Sequence, residues 1–248
     1  MDSATLFLAA AFLGVAALYA SVGQAGASGY LAVMALAGFA APAMKTTALA
    51  LNMAVAGIGT VLFLRAGRLG WRNVWPFAVL GFPFSMLGGA VHLPERVYFP
   101  IVGAVLILSA AQMARTALRG PTGLARPPRP PPIAAALFTG AAIGFVSGTT
   151  GTGGGVFLAP VILAMNWGTP RQTAATCAVY NLMNSAAALL GAHAVWDQIP
   201  AALPLWLIAV ALGGSIGAVI GSRYLSDRWL RGILALLLLG SGLKLLLE

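Results

Sequence analysis

The chain has 248 residues, 60% of them hydrophobic and only 8% charged, where a soluble domain carries about 25% charge. Fourteen Lys and Arg against five Asp and Glu give a net charge of +9, which in so apolar a chain points to loop charges that orient a membrane protein rather than to a nucleic-acid partner. The single cysteine, Cys177, excludes an internal disulfide, and no cluster has metal-ligand spacing, so no cofactor is expected.

Ten apolar segments are predicted, near 4–22, 29–41, 46–64, 73–92, 97–114, 133–147, 155–167, 173–192, 199–222 and 229–247. Several reach or approach the ~20 residues that cross a bilayer as helix, and none alternates with the period of two that a β-barrel needs. The fold class is therefore an all-α polytopic membrane protein. Met1-Asp2-Ser3 lacks the basic start of a cleaved signal peptide, so the first segment is read as structure.

Between the fifth and sixth segments lies a basic, proline-rich stretch that includes Arg126-Pro127-Pro128-Arg129-Pro130-Pro131-Pro132, read as a stiff, solvated linker. It divides the chain into a first membrane repeat, 1–114, a linker, 115–132, and a second membrane repeat, 133–248. The halves match in order. Gly23 to Pro42 has the spacing of Gly151 to Pro170, and Gly26 falls on Gly154. One inserted residue later Thr47 meets Thr176 and Asn52 meets Asn181. Gly81, Gly89, Leu93 and Arg96 then fall on Gly213, Gly221, Leu225 and Arg228 at an offset of 132.

Five segments per half is odd, so the second half is expected upside down relative to the first. With the linker in the cytoplasm, eleven arginines face inward, and only Lys45, Arg96 and Lys244 face outward. This places both termini in the periplasm of a bacterial inner-membrane protein. It also predicts an inverted repeat with substrate at the repeat interface. Segments 29–41 and 155–167 are short: thirteen residues of helix reach about 20 Å against a core of about 30 Å. The first two segments of each half are thus expected to form a broken or re-entrant hairpin around a glycine-rich tip.

The second tip, Gly148-Thr149-Thr150-Gly151-Thr152-Gly153-Gly154-Gly155, holds five glycines and three threonines in eight residues. Bare backbone at membrane depth is tolerated only where it is buried in protein or lines a wet cavity. The helix that restarts after such a break presents unpaired N–H groups and a positive dipole end, a natural anion site. The first tip contributes Gly23, Gln24, Gly26 and Ser28, and the two tips are expected to offer donors to one anion. Asn52, Thr176, Tyr180 and Asn181 join the candidate site, because asparagines at matched positions inside apolar helices either bridge helices or bind. Tyr180 and Asn184 share the helix with Asn181.

The remaining residues take plainer readings. Asp2, Glu95, Asp197, Asp227 and Glu248 lie in predicted loops or termini, which argues against a cation path or a carboxylate proton relay. His92 and His193 are read as interfacial, Cys177 as packing, Lys45 as a solvated helix-end residue, and the six tryptophans mainly as interfacial anchors. The glycine pairs Gly57/Gly59 and Gly213/Gly217 are read as close-packing positions. There is no His-Glu-x-x-His pair, buried aspartate pair or Ser/Lys couple, so no enzyme is expected.

Gly151-Thr152-Gly153-Gly154-Gly155 followed by Pro160, then Pro170 with Thr176 and Asn181, resembles the sulfite exporter TauE/SafE family, also called the 4-toluene sulfonate uptake permeases. The late run from Gly213 to Arg223 resembles it too, and the likeness covers nearly the whole chain. The first half departs from the pattern: Ala25 and Ala27 stand where members often have glycine, and Ala32 where they have proline. The resemblance implies transport of a small sulfur-containing anion such as sulfite, a sulfonate or a sulfoacetate-like compound. The expected partners are that anion and the lipid bilayer, with self-association into a homo-oligomer left open. An inorganic anion channel and a non-transporting membrane subunit are the alternatives.

Overall fold

The computed structural model describes residues 3–21, 23–67, 69–119, 127–220 and 227–247. In the first half it has α1 (Ser3–Ser21), α2 (Ala27–Leu36), α3 (Ala41–Arg65), α4 (Trp71–Ala90) and α5 (Glu95–Arg119). In the second it has α6 (Ile133–Thr150), α7 (Gly155–Ala164), α8 (Pro170–Gly191), a short 3₁₀ helix (His193–Gln198), α9 (Leu203–Ile220) and α10 (Asp227–Leu247). No strand occurs among the described residues. Four helices, α1, α3, α5 and α6, are long and apolar enough to cross a membrane, and α2, α7 and parts of α9 and α10 form shorter apolar helices. The chain is an all-α polytopic membrane protein.

The two halves adopt the same local conformations at matched positions. Both α2 and α7 are ten residues long, about 15 Å, half the thickness of a bilayer core. Each is preceded by a matched pair of residues in the left-handed region, Gly23 (φ 77°) and Gly26 (φ 99°) in the first half and Gly151 (φ 84°) and Gly154 (φ 86°) in the second, where Gly153 (φ 75°) adds one with no counterpart in the first. Each ends on a third, Gly38 (φ 76°) and Asn166 (φ 55°). Asparagine is the side chain that best tolerates this helix-ending geometry, so the pair performs one role with two residue types.

Packing runs across the halves. α4 lies along α6 and α1 along α9, while α3 pairs with α8 and α5 with α10. The α4–α6 seam is a backbone contact: a Cβ at Gly140, Gly144 or Gly148 would strike the carbonyl oxygens of Phe77, Gly81 and Ser85 in turn. Gly213 and Gly217 meet the carbonyls of Leu13 and Ala17 in the same way at the α1–α9 seam, as the small-residue reading predicts. Gly57 faces Leu182 and Gly59 faces Ala178, so α3 and α8 run antiparallel.

The larger apolar core gathers Phe12, Tyr30, Leu31, Met44, Leu106 and Trp206, and a smaller one holds Phe77, Leu158, Ile162, Cys177 and Tyr180. Trp206 corrects the anchor reading. It is buried, stands edge-on to Phe12 at 5.2 Å, and donates its indole N–H to the Thr5 carbonyl. Trp71 and Trp196 are exposed. α5 continues as helix to Arg119, past the expected segment end at 114, because nothing in Arg115-Thr116-Ala117-Leu118 breaks it. The central linker residues 120–126 lie outside the described residues, as do Gly221, Ser222 and Arg223 of the late glycine run and Leu225, the match of Leu93. The end of the linker is tied down: Asn166 donates its side-chain amide to the Pro127 carbonyl, and Arg129 its backbone N–H to the Asn166 carbonyl.

Candidate functional site

A helix N-terminus leaves backbone N–H groups without partners, and an N-cap Ser, Thr, Asp or Asn usually takes one of them. At α2 and α7 the N-cap residues are Gly26 and Gly154, which have no side chain to do so. The cap comes instead from the following long helix. Asn52 of α3 accepts the Ala27 N–H at 3.0 Å, and Asn181 of α8 accepts the Gly155 N–H at 2.6 Å. The other end of the Asn52 carboxamide donates to the hydroxyl of Ser185 on α8 at 2.8 Å, which ties the two central helices together. Both asparagines converge on Gly153, where a Cβ would meet the Asn52 amide nitrogen and lie 3.3 Å from Asn181 Oδ1.

The tips cross over one another. Gly23 of the first sits against Ala174 on α8, and Gly151 of the second against the backbone of Lys45 on α3, each on the other half's central helix. Their surroundings then differ. Gly23, Gln24 and Ala25 line a cavity of about 320 Å³ together with Asn181 and residues of α3 and α9 such as Val55, Leu62 and Ala218. Gln24 also lines a second, larger crevice of about 880 Å³ between α5, α6 and α7. Both reach toward the helix ends that carry Arg65 and Arg115.

Residues 148–155 line neither of these cavities. Thr149 and Thr150 donate their hydroxyls back to the Phe145 and Val146 carbonyls of α6, and Thr150 and Thr152 share a 3.0 Å contact. Tyr180 is buried, donates to the Gly140 carbonyl at 2.7 Å and packs against Gly154. In the first tip, Ser28 pairs with Tyr19 at 2.9 Å and Gly26 lies under the Tyr30 hydroxyl, which donates to the Ala25 carbonyl. Thr176 is buried beside Phe77, Ile162 and Trp167. The structure thus brings Gly23, Gln24 and Asn181 to one cavity and seals the second tip in protein.

One polar contributor was not singled out from sequence. Ser185 bonds Asn52; its signal was its place one turn after Asn181 on an apolar helix. Asn184 and Thr47 are buried with side-chain polar atoms that have no partner among the described residues. Lys45 corrects its solvated reading. It is only 5% exposed, and its ammonium donates to the carbonyls of Gly88, Gly89 and Val91 at the end of α4. The ammonium's three donors meet three carbonyls at the negative end of a helix dipole, of which Gly88 also accepts the Val91 N–H, and this keeps the charge inside with no acid partner among the described residues. Glu95 accepts the Ala41 N–H at the start of α3.

A bundle of long apolar helices, with two ten-residue helices each entered through a glycine turn and cavities ending on the first of those turns, is the build of a membrane transporter. The chain belongs to the sulfite exporter TauE/SafE family, whose model matches residues 6–245. It is also 66% identical over 246 residues to a protein of Sinorhizobium fredii (strain NBRC 101917 / NGR234) described as "Probable membrane transporter protein y4hK", covering 99% of this chain and 100% of that one. No solved structure matches it.

Proposed function

We propose that this transporter is an inner-membrane permease for a small sulfur-containing anion (sulfite, a sulfonate or a sulfoacetate-like compound), built as two inverted repeats that rock against each other. The observation that carries this reading is the matched pair of half-length helices, each capped by an asparagine from its own repeat, with the first tip and Asn181 facing one cavity. Amide and backbone donors without formal charge suit a small oxyanion that must bind and leave. The cavity of about 320 Å³ fits such a solute. The membrane potential, inside negative, favours anion exit by about 2.3 kcal/mol per charge for each 100 mV, so export needs no coupling ion and is the direction we favour.

Uptake or efflux of sulfite, thiosulfate, sulfoacetate, taurine and sulfate in proteoliposomes tests the reading. Saturable flux of one sulfur anion, lost in Gln24→Leu and Asn181→Leu proteins that remain folded, supports it. Flux that rises linearly with concentration favours a channel, and no flux of any solute by the purified protein favours a structural subunit.

A further inference from the structure

The two halves share their fold but not their state of closure. α10 packs along α2, whereas α5, its counterpart, stands away from α7 and leaves the 880 Å³ crevice between them. Burial at matched positions records the same difference. Ala32 and Ala35 on α2 are sealed at 0% and 2% exposure, while their counterparts on α7, Pro160 and Leu163, line the crevice and Leu163 is 37% exposed. Val15 on α1 is buried, and its counterpart Ile143 on α6 also lines the crevice.

One side chain fastens the closed side. Lys244 of α10 donates its ammonium to the carbonyls of Ala35 at 2.8 Å and Leu36 at 3.3 Å, the last turn of α2. Cations are favoured at that end of a helix, where carbonyls lack intrahelical donors. The offset of 132 that relates α5 to α10, starting Glu95 and Asp227 alike, puts Gln112 at the position of Lys244. The offset of 128 puts Leu163 and Ala164 at the positions of Ala35 and Leu36. Gln112, Leu163 and Ala164 all line the open crevice, and no hydrogen bond joins them among the described residues.

We propose that Lys244 is the latch of an access gate, holding α10 on α2 while the α5–α7 side stands open, and that Gln112 is the weaker latch that closes on the Leu163 and Ala164 carbonyls when the gate reverses. The inference rests on the transport reading but concerns which residues set the access equilibrium. A neutral amide makes a weaker bond to a carbonyl than an ammonium does, so the built-in asymmetry favours the state with α10 closed. The balance of two states follows the difference in their contacts, and exchanging the latches exchanges the bias.

Spin labels at two matched pairs read the gate directly: Arg115/Met165 across α5 and α7, and Ala37/Leu247 across α2 and α10, with Cys177 changed to Ala. In the parent protein the Arg115/Met165 distance is expected to be the longer. In Lys244→Gln the Ala37/Leu247 distribution gains a longer component. In Lys244→Gln combined with Gln112→Lys, the Arg115/Met165 peak shortens as the Ala37/Leu247 peak lengthens, and Lys244→Arg keeps the parent distances. Elution and thermal unfolding identify the variants that are folded, and the single Lys244→Gln change serves if the double variant is not. Folded Lys244→Gln and exchanged proteins with parent distances at both pairs would overturn the latch. The measurement uses no substrate, so its failure leaves the transport reading to the flux assay, and absence of flux leaves the distances to decide the gate.

Discussion

Asn52 and Asn181 do the same work in the two halves of the chain: each caps the ten-residue helix of its own half, and both close on Gly153. The arrangement separates two tasks that one N-cap residue normally performs together. Glycine makes the left-handed turn, and a carboxamide from the next helix supplies the acceptor. Asn181 does this while also lining the first tip's cavity.

Removing either cap should therefore loosen its hairpin. Asn181→Ala leaves the Gly155 N–H without its acceptor, at a cost of about 1–3 kcal/mol. Asn52→Ala should cost more, because it also abandons the Ser185 hydroxyl and the bridge between α3 and α8. Thermal unfolding in detergent, supported by faster amide exchange in residues 27–30 or 155–158, checks the order. Equal melting temperatures for the two variants and the parent would show that the caps carry no weight.

Gly153→Ala is expected to fail twice. Its φ of 75° strains any side chain by about 1–3 kcal/mol, and its Cβ would displace the Asn52 amide. Gly38 shares the conformation, with a φ of 76°, but a Cβ there meets nothing within 4 Å. Gly38→Ala should show the backbone strain alone. The difference between their melting temperatures isolates the packing at the tip, and flux should fall only in the Gly153 variant.

Much of this was legible from sequence because it repeats. The offset pairs Gly26/Gly154 and Asn52/Asn181 located both hairpins, and their short apolar segments announced half-length helices. What repetition could not announce is which surface each tip meets. Thr149 and Thr150 look like ligands in a list of residues, yet they bond back to α6, since a hydroxyl on a helix finds the carbonyl four residues earlier before it finds a solute. Lys45 read as a solvated end because its carbonyl partners come from a distant helix and carry no side-chain signature, and the contact of Lys244 with α2 was hidden in the same way. Trp206 read as an anchor for the same reason: its partner, the Thr5 carbonyl, is separated from it by most of the chain.

Lys45 gives a prediction about stability alone. Lys45→Met keeps most of the apolar stem but takes the ammonium away from the Gly88, Gly89 and Val91 carbonyls, of which Gly88 keeps the Val91 N–H. Hydrogen bonds to a charged group are worth about 1.5–3 kcal/mol each, less than additive for one ammonium, so a loss of about 3 kcal/mol is expected. A lower melting temperature with flux retained well below it would place Lys45 in the scaffold. Loss of flux at an unchanged melting temperature would move it into the path.

The helix seams supply the last prediction. A Cβ at Gly144 would strike the Gly81 carbonyl, and at Gly217 that of Ala17, so α6 cannot stay against α4, nor α9 against α1, if either glycine becomes a larger residue. Both seams join the two halves. Gly144→Val and Gly217→Val should therefore abolish the folded protein or lower its melting temperature steeply, because overpacking a backbone contact leaves no flexible side chain to yield. Gly14 lies on α1 with nothing within 4 Å of its would-be Cβ. There the helix propensity of alanine acts alone, and Gly14→Ala should be neutral or stabilise by up to about 1 kcal/mol. Opposite signs at Gly14 and Gly217, two glycines at one helix pair, would separate contact from composition, whereas a tolerated Gly217→Val would mean that the α1–α9 seam is looser than its geometry requires.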